Sequence, residues 1–324
     1  MSNESKYKLV VDHIIRGINN GIYKKGDRLP SINEFRKEYN LSRDTVFSGI
    51  NELKSRGIIN STPGVGYYVA NTRFKTKFNI LLLFNELNEF KQELYYSFVN
   101  NIDNSSTVDI RFHNYNQKMF ETLLKEANGK YTTYVVMPGK FKKIGTLLQS
   151  ISGRVFLLDH YDQKLRGKYS AVAQNFEKDT YDALTSAAVQ IRKYHRIQMV
   201  QSEAKEPYER FLGLQRFSNE FGIPCRYLND YKNKKICEGD LFMLVNNQDL
   251  IDVLQQSERQ GFKPGKEFGI ISYNDTPLKE IIAGGITTLS TDFKLMGETM
   301  ASLINKKNIE VIDNPWILTM RKSL

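Results

Sequence analysis

The residues with the most chemical content fall into two sets, one near the start of the chain and one spread through the rest. Ser42-Arg43-Asp44-Thr45 gathers two hydroxyls and a guanidinium into four positions, with Arg28 and Ser31 shortly before it. Such a set can cap a helix and meet phosphate oxygens or base edges. Further on, amides and carboxylates recur after short apolar runs: Asn85-Glu86, Asn114, Asp159-His160, Asn246-Asn247 and Asn274-Asp275, with Tyr273 and Phe90 as aromatic walls. Planar donors and acceptors of this kind pair with the vicinal hydroxyls of a sugar. The same residue types also fill turns after strands, so each position alone fits either role. Arg210, opening a periodic apolar segment, is either a solvated helix charge or a fork donating to a ligand oxygen.

No set of this kind points to catalysis. His13, His113, His160 and His195 lie in four separate segments, and although His160 adjoins Asp159, no further residue is in place to orient it as a base. The chain has no G-x-S-x-G, P-loop or H-E-x-x-H motif, and no G-x-G-x-x-G opening a helix after a strand. Its two cysteines, Cys225 and Cys237, form neither a C-x-x-C nor a cluster with histidine, which gives no basis for a disulfide framework or a zinc finger. A binding protein without metal or cofactor is expected.

The first set needs helices to position it. Leu9, Val10, Ile14, Ile15 and Ile18 recur at helical spacing before Gly21. Ser31 can cap a second helix, with Glu34 three residues on to reciprocate. Ser42 can cap a third, whose apolar face is Val46, Ile50 and Leu53 and whose other face carries Arg43, Asp44, Thr45 and Ser48. After Gly57, two short strands at about 58–61 and 67–69 flank a glycine-rich tip at 62–66. The pattern predicts three helices and a β-wing.

Over residues 6–70 this resembles the gluconate-repressor (GntR) family of bacterial regulators, in "GIYKKGDRLPS" (21–31), "LSRDTV" (41–46), "ELKSRGII" (52–59) and "GVGYYV" (64–69). The resemblance implies a winged helix-turn-helix whose third helix, starting at Ser42, enters the major groove of operator DNA. Arg43 and Thr45 would lie nearest bases or phosphates, Arg28 and Ser31 at phosphate, and the wing with Gly64 and Gly66 along the adjacent minor groove or backbone. Ile32-Asn33 stands where members often carry Glu-Arg, and Phe47 where a basic residue is common, so no operator sequence is carried over. Phe47 fits either the core or contact with a thymine methyl.

The second set needs strands. Apolar runs at 79–84, 108–113, 133–137, 154–158, 196–200, 241–245 and 268–272 alternate with helical patterns at 94–101, 117–127, 141–150, 179–193, 209–221, 248–260 and 295–304. Repeated βα units predict a doubly wound, mainly parallel α/β fold, whose ligands bind beyond the carboxyl ends of the strands. That places the polar residues after each run in one region.

In "YERFLGL" (208–214), "LVNNQ" (244–248) and "GIISYND" (269–275) the region from about 77 to 324 is similar to the sensor domain of the lactose-repressor (LacI) family, itself related to periplasmic sugar-binding proteins. A GntR head on a LacI-type body is the combination found in arabinose-type repressors. The resemblance implies a two-lobed, periplasmic-binding-protein-like body with Asp159, Arg210, Asn246 and Asn274 contacting the ligand, Asn274 replacing the usual aspartate. Asn85 and Tyr273 join them as candidate contacts.

Length and charge agree. The 324 residues exceed one hydrophobic core, and the expected division is a DNA-binding domain at 1–70, a linker at 71–77 and an effector-binding and dimerisation domain at 78–324. The net charge is +10, and residues 1–75 hold 13 Lys and Arg against 7 Asp and Glu, so the excess is concentrated where a polyanion is expected to bind. No apolar run has the roughly 18 residues of a membrane span, and the start lacks a secretory signal, so a cytoplasmic address is expected. Together these features predict a homodimeric transcription regulator, a repressor of carbohydrate-utilisation genes released from double-stranded operator DNA by a monosaccharide or sugar phosphate. The alternative is a DNA-binding protein whose body serves protein interaction and dimerisation without a sugar ligand.

Overall fold

The computed structural model describes residues 3–72, 78–104, 106–165, 167–232, 234–306 and 308–324. The chain divides into two compact units, Met1–Thr76 and Lys77–Leu324. The linker expected at 71–77 falls mainly on 73–77, outside the described residues.

The first unit, the head, contains α1 (Asn3–Asn19), α2 (Ile32–Tyr39), α3 (Arg43–Ser55) and an antiparallel hairpin of β1 (Ile59–Thr62) and β2 (Gly66–Val69). Local chemistry sets the helix limits. Ser31 and Glu34 form a reciprocal capping box at α2, Asn40 ends that helix in a left-handed conformation, and Ser42 caps α3 by accepting from the Thr45 amide. Val10, Ile14, Phe35, Val46, Ile50, Leu53 and Ile58 are fully buried in one core. At Gly49 an added Cβ would lie 2.9 Å from the Tyr7 carbonyl, so α1 and α3 meet at a position that needs glycine. The segment before α2 runs along the hairpin, with the Leu29 amide donating to the Tyr67 carbonyl (2.9 Å) and the Val69 amide to that of Asp27 (3.0 Å).

The second unit, the body, has two lobes. In the first, β3 (Asn79–Phe84), α4 (Glu89–Asn101), β4 (Thr107–Phe112), α5 (Gln117–Ala127), β5 (Thr133–Val136), α6 (Ile144–Gln149), β6 (Arg154–Asp159) and β7 (Ser170–Ala173) follow in order. The chain then crosses to α7 (Phe176–Ser186), α8 (Ala188–Ile191), β8 (Arg196–Val200), α9 (Glu209–Phe221), β9 (Cys225–Leu228), β10 (Asp240–Leu244), α10 (Asn247–Gln260), β11 (Gly269–Tyr273), α11 (Pro277–Ile281) and β12 (Thr287–Thr291). It returns as α12 (Phe293–Ile304) and β13 (Val311–Asp313) and crosses once more to end in β14 (Trp316–Thr319).

Among the described residues the first sheet has the order β13-β7-β6-β5-β3-β4, with all its pairs parallel, and the second β14-β12-β11-β10-β8-β9, with only β14 antiparallel. Central strands such as β10 and β11 are buried throughout because helices cover both faces. Glycines bring the covering helices together. A Cβ at Gly213 of α9 would lie 2.2 Å from the Glu177 carbonyl of α7, and one at Gly297 of α12 would lie 2.6 Å from the Leu94 carbonyl of α4.

Two expectations need correction. The helix predicted at 179–193 is two helices, α7 and α8, which part at Ala187 (φ −102°, ψ 11°). Five strands, β7, β9, β12, β13 and β14, lie outside the predicted runs; β12 is polar in sequence, Thr-Thr-Leu-Ser-Thr, and β9, β13 and β14 are largely unburied.

Candidate functional site

On α3, Arg43, Asp44, Phe47, Ser48 and Asn51 are exposed and recur at helical spacing, giving one solvent face. Phe47 is 47% exposed, which removes the core reading. Thr45 does not share the face. It is buried, with its hydroxyl 2.7 Å from Ser42 Oγ, and so completes the cap at the positive end of the helix, behind Arg43. Ser31 is exposed but already engaged in the capping box of α2. Arg28 is exposed and bridges Tyr68 of β2 through its backbone. Its guanidinium lies against Gly66, where a Cβ would come within 3.2 Å of Nε. Gly64 and Gly66 take φ of +75° and +137°, so the wing tip needs glycine for its turn.

The body holds a cleft of about 280 Å³ between its lobes, lined by all six candidate residues: Asn85, Asp159, Arg210, Asn246, Tyr273 and Asn274. Asn85, Asp159, Tyr273 and Asn274 sit at or just after the ends of β3, β6 and β11, Asn246 caps α10, and Arg210 lies in the first turn of α9. Phe90, Glu86, His160 and Asn247 also line the cleft, whereas Asn114 and Asp275 do not. Asp275 forms a two-pronged pair with Arg321, 2.8 Å on each arm, and so serves the structure of the second lobe.

Asp159 has left-handed backbone (φ +74°), which turns the chain at the end of β6. Lys91 Nζ and Gln174 Nε2 each donate to its carboxylate at 2.5 Å. Burial opposes its ionisation, but the Lys91 charge, these hydrogen bonds and the charge of Arg210 prevail and hold the carboxyl below the usual range. Arg210 is buried, pairs through Nη1 with Glu206, and lies between the rings of Phe176 (4.7 Å) and Tyr273 (4.8 Å). Its Nε is buried and has no hydrogen-bond partner among the described residues. Tyr273 bonds Thr180 at 2.7 Å, and burial raises its phenol to about 12, so it stays protonated at neutral pH. Asn274 also has left-handed backbone (φ +62°), and Lys279 Nζ holds the Tyr273 and Asn274 carbonyls at 2.7 Å each. Asn246 is engaged with Asp249, its side chain accepting from the Asp249 amide at 2.8 Å. Asn85 donates to Tyr115 Oη at 3.0 Å.

Sequence reasoning missed Lys91, Gln174, Glu206, Phe176 and Phe293, which line the same cleft. Two of them carried a signal. Lys91 follows the Asn88 cap by three residues, and Glu206 precedes Arg210 by four. Among the described residues no group of three or more His, Cys, Asp or Glu is placed to hold a metal ion, and no helix is long and apolar enough to cross a membrane.

The family profile of bacterial regulatory proteins, gntR family, matches residues 6–69. The head is a gntR-family domain. Over 72 residues, 22% of this chain, the sequence is 36% identical to the uncharacterized HTH-type transcriptional regulator YcxD of Bacillus subtilis, and the match spans 16% of that protein's length. The gntR-family head is joined to a periplasmic-binding-protein-like body of the LacI-type fold. A LacI family transcriptional regulator from Enterococcus faecium, solved with bound ribose, aligns with a TM-score of 0.62 at 15% identity, over 76% of this chain and 98% of that one. A periplasmic binding protein/LacI transcriptional regulator from Alkaliphilus metalliredigens, complexed with D-xylulofuranose, aligns at 0.60 and 12% identity, over 76% and 98%. At these identities the likeness is one of fold.

Proposed function

We propose that the protein is a DNA-binding transcription regulator, a homodimeric repressor of carbohydrate-utilisation genes that a sugar or sugar phosphate releases from operator DNA. The observation that carries this reading is the convergence of Asn85, Asp159, Arg210, Asn246, Tyr273 and Asn274 on one interlobe cleft, in a chain whose first unit is a gntR-family head. Asp159 offers an ionised acceptor, and Arg210, held between the Phe176 and Tyr273 rings, brings a guanidinium to the cleft from the other lobe. The ribose and D-xylulofuranose of the two aligned structures support a ligand of pentose size. On the head, Arg43, Phe47 and Arg28 are the exposed residues that would meet DNA, with Ser31, Ser42 and Thr45 holding the helix starts and Gly64 and Gly66 the wing. Because one winged head covers a half-site, two copies are required to read a two-fold operator.

A thermal-shift screen of the full chain against monosaccharides and their phosphates tests the cleft. A binding sugar should raise the midpoint of the wild type and lose that effect in Arg210→Ala, which removes a donor from the cleft and leaves Glu206 without its cation. A shift that survives Arg210→Ala unchanged overturns the assigned site. No shift from any sugar favours a body used for protein interaction.

A further inference from the structure

The cleft takes positive charge from both lobes, Lys91 from α4 and Arg210 from α9, and each of these cations is 6% exposed. Buried cations facing a small cavity would by themselves select an anionic ligand. Here each already has its own carboxylate. Lys91 Nζ is 2.5 Å from Asp159, whose side chain is 13% exposed, and Arg210 is paired with Glu206, whose side chain is 23% exposed. At the rim Lys205 lies 3.9 Å from Glu86, and the exposed Lys140 donates to the Glu203 carbonyl. The two buried cations are therefore each matched by a carboxylate before any ligand arrives, and, among the described residues, the one cation of the lining bonded only to a neutral carbonyl, Lys140, is exposed at the rim. A phosphate or carboxylate brought inside would face Asp159 and Glu206 in a medium of low polarity, with neither cation free to receive it. A hydroxyl meets the opposite situation. Spare lone pairs on the two carboxylates accept from it without adding charge to the cleft.

We propose that Glu206 and Asp159 set the charge specificity of the cleft, neutralising Arg210 and Lys91 so that an uncharged polyhydroxy ligand is admitted and its phosphorylated or carboxylated counterpart is excluded. This rests on the reading of the cleft as the effector site and decides between the two ligand classes left open there. Glu206 acts as a specificity-determining residue through its position four residues before Arg210, with both side chains lining the cavity.

Calorimetry on the full wild-type chain with matched pairs tests it: aldopentoses, ketopentoses and aldohexoses against their terminal phosphates, and aldohexoses against the corresponding uronic acids. For the best-binding pair the neutral member should bind about 100-fold tighter or more. Glu206→Gln keeps the side chain's reach and removes its charge, so it should shift the preference toward the charged member by about tenfold or more. A charged member that binds wild type as well as its neutral twin overturns the proposal while leaving the cleft a ligand site. A Glu206→Gln that weakens both members alike overturns the role of Glu206, and a variant that fails to fold leaves the wild-type comparison to decide. If no compound of either kind binds, the effector reading fails and this proposal with it.

Discussion

Arg43 stands at the first turn of α3, exposed, with the helix's free amides and the Ser42 cap behind it. Replacing it with alanine should weaken binding to a duplex selected from random sequence by the protein itself by about tenfold or more, leaving the unfolding midpoint unchanged. Fluorescence anisotropy at one fixed salt concentration measures this, and unaltered affinity would remove Arg43 from the interface. In the body, burial raises the Asp179 carboxyl to about 6, with Asp313 and Asp182 adding to the shift and the Asn175 amide and Lys178 opposing it. Because the folded chain holds this proton where the unfolded chain, near the ordinary value of 3.8, does not, Asp179 destabilises the protein increasingly as pH rises from about 4 to about 6. Asp179→Asn should therefore raise the unfolding midpoint of the body at pH 7, and its advantage should shrink as pH falls to 5. An advantage that does not change with pH would contradict the shift. Residue type after each apolar run was enough to find Asn85, Asp159, Asn246 and Asn274. It could not separate Asn274, which lines the cleft, from Asp275 beside it, because only the fold brings Arg321 to Asp275. Thr45 was misplaced for a similar reason: its hydroxyl turns back to the Ser42 cap, and helical spacing alone does not report that rotamer.

Between elements, the closest approaches are made by glycine. At Gly213 a Cβ would meet the Glu177 carbonyl at 2.2 Å and Thr180 Cβ at 3.0 Å, so α9 cannot keep its distance from α7 with any larger residue. Gly213→Ala should cost about 2 kcal/mol of body stability by overpacking, read as a lower denaturation midpoint. Arg210, one turn earlier on α9, should then shift relative to Phe176 and weaken ligand binding as well. A variant as stable as wild type would mean the two helices separate freely. The long amphipathic helices and the strands β3, β8, β10 and β11 were legible because burial on both faces writes a mainly apolar run, interrupted in β8 only by Gln198 after its first residue. The strands β7, β9, β12, β13 and β14 were not: β12 is buried by its neighbours although Thr287 and Thr288 are polar, and β9, β13 and β14 are short, largely unburied strands that write no apolar run. The missed strands matter for the site, since β13 beside β7 and β14 beside β12 accompany the repeated crossings that tie the two lobes together around the cleft.

At the scale of the whole molecule, a two-lobed body whose cleft pairs each buried cation with a carboxylate and a gntR-family head whose third helix has an exposed face are the two ends of one proposed equilibrium. A ligand touching Asp159 in one lobe and Arg210 in the other favours whichever lobe arrangement lets it reach both, and can influence DNA binding only by as much as it discriminates between arrangements. Linkage then makes the effect reciprocal: the factor by which ligand weakens operator binding must equal the factor by which operator weakens ligand binding. The most direct measurement is a calorimetric titration of the best-binding monosaccharide into the full chain, free and saturated with its selected duplex, paired with anisotropy of that duplex with and without the sugar. The expected result is a loss of ligand affinity on DNA of about tenfold, matched by the same loss of DNA affinity with ligand. Sugar binding with identical affinity in the free and DNA-bound protein, and operator affinity untouched by saturating sugar, would contradict the account.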